Sequence, residues 1–242
     1  WEWGRLNGLQ NTGSVLLAVV CVALCGAAWQ MGWLARSLPA LWLVTGAAWV
    51  LGGAFLLRAG VAGWPRIPRV VRLLGGVLGL SLAWLAMAQA RVIGINFLLS
   101  VLLLVWVADI FAYFAGRTFG LKFTKSKLAP AISPGKSWEG VWGGMAGVVV
   151  LALVWVWADK TFAPAVPSFY SQLASRSMLL LLVSVVFMGG MSVVGDLVES
   201  LIKRSAGAKD SSRLLPGHGG VLDRIDALLP TLPLAMMLVS FT

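Results

Sequence analysis

Charge is scarce in this chain. Only 12% of its 242 residues are Asp, Glu, Lys or Arg, against 59% hydrophobic. The longest polar stretches are too short to fold around a core of their own, which excludes a separate soluble domain. Cysteine is limited to Cys21 and Cys25, inside one apolar run. Their spacing is not C-x-x-C, and a bridge within one helical turn is geometrically poor, so they read as small buried apolar residues. The acids number nine against 19 Lys and Arg, a net charge of +10, but no soluble basic module accompanies it, so a nucleic-acid partner is not expected. Histidine occurs once, at His218. No signal peptide is visible, and the chain opens on Trp1. No internal repeat is found, which weakens the reading of a transporter built from inverted halves.

What the chain does have is long apolar runs. Seven can be drawn, at about 13–35, 39–57, 73–90, 96–116, 138–158, 177–195 and 225–242. The third and the last are the weakest, the last because Pro230 and Pro233 fall inside it. The expected fold is an all-α, polytopic transmembrane helical bundle. It forms one integral membrane domain over 1–242, with N-terminal spans in 1–95 and the spans and loops that carry chemistry in 96–242. The connections alternate in charge. Arg58, Arg66, Arg69 and Arg72 follow the second run, Arg117, Lys122, Lys125, Lys127 and Lys136 the fourth, and Lys203, Arg204, Lys209, Arg213 and Arg224 the sixth. The intervening connections carry far fewer cations, so the three rich loops and the N-terminus are expected on the cytoplasmic side. Gly143, Gly144 and Gly147, like Gly189 and Gly190, read as positions of close helix packing.

Seven of the nine acids lie at the ends of spans that face the basic loops: Asp109, Glu139, Asp196, Glu199, Asp210, Asp223 and Asp226. Solvated charge scattered at random would not be distributed in this way. Asp196, Glu199, Ser200 and Lys203 share one helix face as the sixth run leaves the apolar region. Asp223 and Asp226 repeat the i, i+3 spacing before the last run. The glycine-rich P-G-H-G-G at 216–220 can fold one acidic pair onto the other. Oxygen ligands on facing helices suit Mg²⁺; the plain alternative is that each acid pairs with a neighbouring cation. Lys203, Arg204, Lys209, Arg213 and Arg224 are candidates for gripping phosphate, although Arg213 fits a simple positive-inside loop better. His218 suits a general base or, preferably, a residue that orders the glycine turn. Upstream, G-K-S at 135–137 resembles the end of a P-loop, but Pro130 stands where that loop needs glycine. Lys136 at a helix start still suits an anion. Asp109, late in an apolar run, reads as functional. Arg117 reads equally as a phosphate ligand and as a lipid-facing cation.

The pattern S-x-x-K-R-x4-K-D-x5-P-G-H-G-G-x2-D-R-x-D, Ser200 to Asp226, resembles the signature of the phosphatidate cytidylyltransferases, the CDP-diacylglycerol synthases. The segments D-x-x-A-Y-F-x-G-R-x-F-G from Asp109 and S-P-G-K-S-W-E-G from Ser133 are similar to that family as well. The resemblance covers most of the chain from Asp109 onward. It implies transfer of CMP from CTP to phosphatidate, with release of pyrophosphate. It implies Mg²⁺ on Asp196 and Asp223, with a second monovalent or divalent cation left open. Lys203, Arg204, Lys209 and His218 complete the catalytic group, and Ser200, Asp210, Arg224, Asp226, Lys136, Arg117 and Asp109 the substrate-binding group. It further implies a multi-pass protein of the bacterial inner membrane with its site facing the cytoplasm, and spans ahead of Trp1. A homodimer is compatible with this reading. The alternatives are an ion-coupled transporter using Asp109, Asp196 and Asp223, and another Mg²⁺-dependent phospholipid enzyme such as a polyprenyl-phosphate sugar transferase.

Overall fold

Six helices carry the apolar runs, and each is long and apolar enough to cross a membrane. In the computed structural model, which describes residues 1–241, they are α2 (Asn11–Gln30), α3 (Pro39–Ala59), α4 (Arg69–Ile93), α5 (Ile95–Phe119), α6 (Trp138–Phe162) and α8 (Met178–Ser205). The protein is therefore a multi-pass membrane protein. Short helices precede, separate and follow them: α1 (Glu2–Leu6), α7 (Phe169–Arg176), α9 (Leu222–Ile225) and α10 (Leu228–Ser240). The seventh expected span is the one that differs. At 13 residues α10 reaches about 20 Å, short of a hydrocarbon core of about 30 Å. It lies inside the bundle, where Leu232, Leu234 and Ala235 are buried and pack against α3, α4 and α8. Pro230 sits in its first turn, where no N–H partner is lost, and Pro233 interrupts one bond of the ladder.

The tightest seam joins α5 and α6, as the α6 glycines predict. A side chain on Gly144 would lie 2.8 Å from the Ala108 carbonyl, and one on Gly147 2.5 Å from the Phe111 ring. Small residues at these places let the two backbones approach, and close packing is what associates helices in lipid. A side chain on Gly189 would meet only other side chains, Val148 at 3.3 Å and Met145 at 3.8 Å, so the α6–α8 contact is looser.

The two ends of the bundle are built differently. At one end, Asp159 of α6 accepts from Asn96 Nδ2 (3.0 Å), Ser168 N (2.9 Å) and Ser171 Oγ (2.6 Å), tying α5, α6 and α7 together. Gln89 caps the same end by donating to the Trp33 and Arg36 carbonyls. The helix α7, absent from the sequence expectation, is held there by Tyr170, whose hydroxyl donates to the Ser100 carbonyl at 2.8 Å. At the other end a second apolar cluster of Trp64, Ile132, Leu197, Val198, Leu201 and Ile202 surrounds the emerging turns of α8. Trp3 of α1 packs against Trp64, ring centroids 5.8 Å apart, and donates to the Arg72 carbonyl. An antiparallel hairpin, β1 (Lys127–Ala129) and β2 (Ser133–Ser137), also belongs to this end and runs directly into α6.

Candidate active site

The hairpin delivers Lys136 to the bundle. Its last residue, Ser137, caps α6 by accepting the Gly140 N–H at 3.2 Å, so the chain turns from strand to helix one residue after Lys136. Lys136 Nζ then forms an ion pair with Asp196 Oδ2 of α8. Ser200 donates to the other Asp196 oxygen at 3.3 Å, as their i, i+4 spacing on α8 allows. A cavity of about 400 Å³ opens beside this pair between α5, α6 and α8. Its polar lining is Asp109, Tyr113, Arg117, Lys136, Ser137 and Asp196, and much of the rest is glycine and alanine. Arg117 is exposed at the groove and donates to the Tyr113 hydroxyl at 2.8 Å.

Asp226 joins this group from the other side. It stands in the turn between α9 and α10, and its charge, like that of Asp109, interacts with both Asp196 and Lys136. Gly195 makes the approach possible: a side chain there would lie 2.6 Å from the Asp226 carbonyl and 2.8 Å from the Pro230 ring. Three carboxylates thus lie within electrostatic reach of a single ammonium group. The excess of negative oxygen donors fits a hard divalent cation. Among the described residues no three acids, cysteines or histidines form a ready ligand cage. That is compatible with Mg²⁺, which is commonly held by one or two carboxylates together with water and substrate phosphate.

Asp223 occupies a second, adjoining cluster. Its Oδ1 accepts from Lys203 Nζ at 2.5 Å. Its Oδ2 accepts from Gly220 N (2.7 Å), Ser211 N (2.9 Å) and Ser211 Oγ (2.9 Å). Burial acts to raise the Asp223 carboxyl, but Lys203 and these donors outweigh it and hold the group well below the usual carboxylate range. Lys203 also pairs with Glu199 at 2.6 Å. Asp196 and Asp223, expected to share one ion, therefore hold separate lysines, and Asp226 is the residue of the D-R-x-D run whose charge reaches Asp196.

The remaining sequence candidates lie in the loop between α8 and α9 or in the helical turns that flank it. Arg204 donates to the Ile132 carbonyl at 3.3 Å, bracing the hairpin against α8. Lys209, Asp210 and Arg213 are exposed. Arg224 donates to the His218 carbonyl at 2.6 Å. His218 bonds the Pro216 carbonyl through Nδ1 at 3.0 Å, and so orders the glycine turn. Gly217 and Gly219 take positive φ values of 74° and 82°, which that turn requires.

Two carboxylates that sequence reasoning assigned no role hold the loops in place. Glu139 accepts from Phe123 N, Thr124 N and Thr124 Oγ1, closing the segment between α5 and β1. Glu2, only 6% exposed, accepts from the loop between α8 and α9. Glu139 stands inside the W-E-G motif, which was a usable signal. Glu2 stands between two tryptophans near a chain end, with its partners more than two hundred residues away.

A family model described as the cytidylyltransferase family matches residues 1–242. The chain is 40% identical over 238 residues to a phosphatidate cytidylyltransferase of Pseudomonas aeruginosa, an alignment covering 96% of this chain and 80% of that protein. It is 47% identical over 141 residues to one of Haemophilus influenzae, covering 58% of this chain and 44% of that protein. It is 48% identical over 128 residues to one of Brucella abortus, covering 52% and 40% respectively.

Proposed function

The chain belongs to the cytidylyltransferase family, and from that premise we propose that it transfers CMP from CTP to phosphatidate, forming CDP-diacylglycerol and pyrophosphate. The observation that carries the reading is the groove of Asp109, Asp196 and Lys136 between α5, α6 and α8, with Asp226 adjoining it. It combines cations for phosphate with carboxylates in excess, at one end of helices that span a membrane.

The reaction joins a lipid phosphate oxygen to the α-phosphorus of CTP and breaks the bond from that phosphorus to the bridging oxygen. Such a transfer depends on positioning and charge neutralisation rather than on covalent help from the protein. A phosphate monoester has its second pKa near about 6, so it is a competent nucleophile without a general base. His218, bonded within its own turn, is therefore given no proton to move. Lys136 and Arg117 line the groove and would grip phosphate oxygens there. Lys203, Arg204 and Lys209 would hold the polyphosphate from the α8 side. Asp196, Asp226 and Asp109 would hold Mg²⁺, and Asp223 would join them only if Lys203 released it. When bound, Mg²⁺ would neutralise charge developing on the phosphoryl oxygens.

The glycine and alanine lining beside these charges would admit the glycerol end of a lipid while the charged rim meets water. A site at the inner-leaflet level of a bacterial inner membrane, open to cytoplasmic CTP, accords with the concentration of cations at this end and with the bacterial relatives. The ion-coupled transporter has no support among these relatives.

The test is to incubate purified protein with labelled CTP, phosphatidate and Mg²⁺ and to follow label into lipid. CDP-diacylglycerol should form, and Asp196→Asn should abolish it. Absence of labelled lipid from the unaltered protein would refute the reading.

A further inference from the structure

The carboxylate of Glu2 is the junction of three strands of chain. Oε1 accepts from Ser212 Oγ at 2.5 Å and from Val221 N at 3.0 Å, and Oε2 accepts from Leu222 N at 2.8 Å. One oxygen thus bridges both sides of the neck of the loop that carries Arg213 and His218. The neighbouring donors serve Asp223 instead: Ser211 through its N–H and hydroxyl, and Gly220 through its N–H. Two adjacent serines and three successive backbone N–H groups are divided between two carboxylates. Rotation of the segment by one residue would leave both sets of bonds unmade.

Glu2 is itself fixed. Trp3 packs on Trp64 and bonds the Arg72 carbonyl, and Asn7 donates to the Trp3 carbonyl at 2.9 Å. Leu6 and Trp3 pack against the apolar cluster around Leu197 and Leu201. The α1 helix is therefore anchored to the same turns of α8 that carry Asp196, Glu199 and Lys203. A buried carboxylate accepting three bonds forms a strong, directional tether, because bonds to charged groups exceed neutral ones. At Gly220 there is room for no side chain between Ser211 and Glu2, so the tether closes against bare backbone.

We propose that Glu2 is a positioning residue for the transfer reaction, a clasp that sets the register of residues 211–222 and so holds Asp223 against Lys203. It touches no substrate; it acts through the loop and through Asp223. The catalytic part of this inference rests on the function proposed above, whereas the clasp itself does not.

Two measurements on the full chain in detergent separate the two claims. The first is limited trypsin digestion, comparing cleavage after Arg213 with cleavage after Lys125, which is exposed on the other loop. Glu2→Gln keeps the size but loses the charge and turns an amide N–H toward donors. It should speed cleavage after Arg213 by about tenfold relative to Lys125, since exposing the site needs only local opening. The second is steady-state kinetics: kcat/KM for CTP should fall by about tenfold while KM for phosphatidate stays within about twofold. A general loss of fold would instead change both substrates and both cleavage sites together. Ser212→Ala, which removes one donor to Glu2 and also the acceptor of the Leu214 N–H at 3.1 Å, should show smaller effects in the same direction, and its fall in kcat/KM for CTP decides the matter should Glu2→Gln not fold. Unchanged cleavage after Arg213 in the folded variants, or equal losses for both substrates, would overturn the proposal. If the unaltered protein made no CDP-lipid, the proposed function would fall and the digestion would still judge the clasp.

Discussion

The carbonyl of Asp226 rests against the bare Cα of Gly195, so near that a methyl group on the glycine would lie 2.6 Å from the oxygen. Gly195 directly precedes Asp196. The missing side chain thus brings the turn between α9 and α10 onto the face of α8 that carries the groove. We expect Gly195→Ala to force that turn outward, because its contacts are backbone and a proline ring, neither of which can swing aside. Overpacking of this kind typically destabilises by about 1–3 kcal/mol. A lowered midpoint in a tryptophan-fluorescence melt, together with a CMP-transfer rate reduced by at least about tenfold, is the expected result. An unchanged rate would show that the Asp226 position is immaterial.

The two aspartates of the D-R-x-D run should behave differently. Asp226→Asn removes a carboxylate whose charge reaches Asp196, and is expected to raise the Mg²⁺ concentration needed for half-maximal activity. Asp223→Asn removes the partner of Lys203, and is expected to act first on folding stability. Mg²⁺ titrations and melts of both variants check this; a larger Mg²⁺ shift for Asp223→Asn would return it to the ion-binding role.

Lys203 balances two carboxylates, Glu199 and Asp223, with only 12% of its own side chain exposed. Lys203→Met would leave both acids without a counter-charge. Breaking a buried pair by removing one partner costs about 3–5 kcal/mol. The variant should melt well below the parent, and the double variant with Glu199→Gln should recover part of the loss.

Acid should weaken the fold through Asp223. Its native carboxyl is held below the ordinary range, so its ionised form stabilises the protein above the unfolded value of about 3.9. That stabilisation is lost as pH falls below this value toward the lower native one. Melting points measured from pH 6 down to pH 3 should decline in the parent and decline less in Asp223→Asn. Parallel curves would contradict the assignment.

Asp159 offers the contrast at the opposite end of α6. Asp159→Ala removes the acceptor for Asn96, Ser168 and Ser171, and should lower the melting point. The rate of CMP transfer at 25 °C by the folded fraction should be unchanged. A selective loss of kcat would connect the two ends in a way the packing does not explain.

The span-forming runs were legible because lipid demands long unbroken apolar helices, and the i, i+4, i+7 relation of Asp196, Ser200 and Lys203 followed from helical period alone. The family resemblance was likewise carried by contiguous motifs. Which aspartate of the last pair approaches Asp196 was not legible. In a helix as short as α9 both positions are open, and the decision falls to the space left at Gly195. The hairpin before α6 was also missed, since its strands span only three and five residues and lack any hydrophobic alternation. Glu2 left no local trace, because all of its partners lie near the other end of the sequence.

That separation bears on how the protein comes to be made. A ribosome supplies Glu2 220 residues before Leu222, an interval of roughly 10–45 s at ordinary rates of synthesis. Throughout that time the first helices are free to enter the bilayer, while the acid waits with no peptide groups to receive. A product broken off before residue 221 would own the hairpin lysine, the α8 acid and the Ser212 bond to Glu2, yet lack the two backbone bonds from Val221 and Leu222 that complete the tie. Closure of the clasp thus follows the synthesis of every helix that lines the groove.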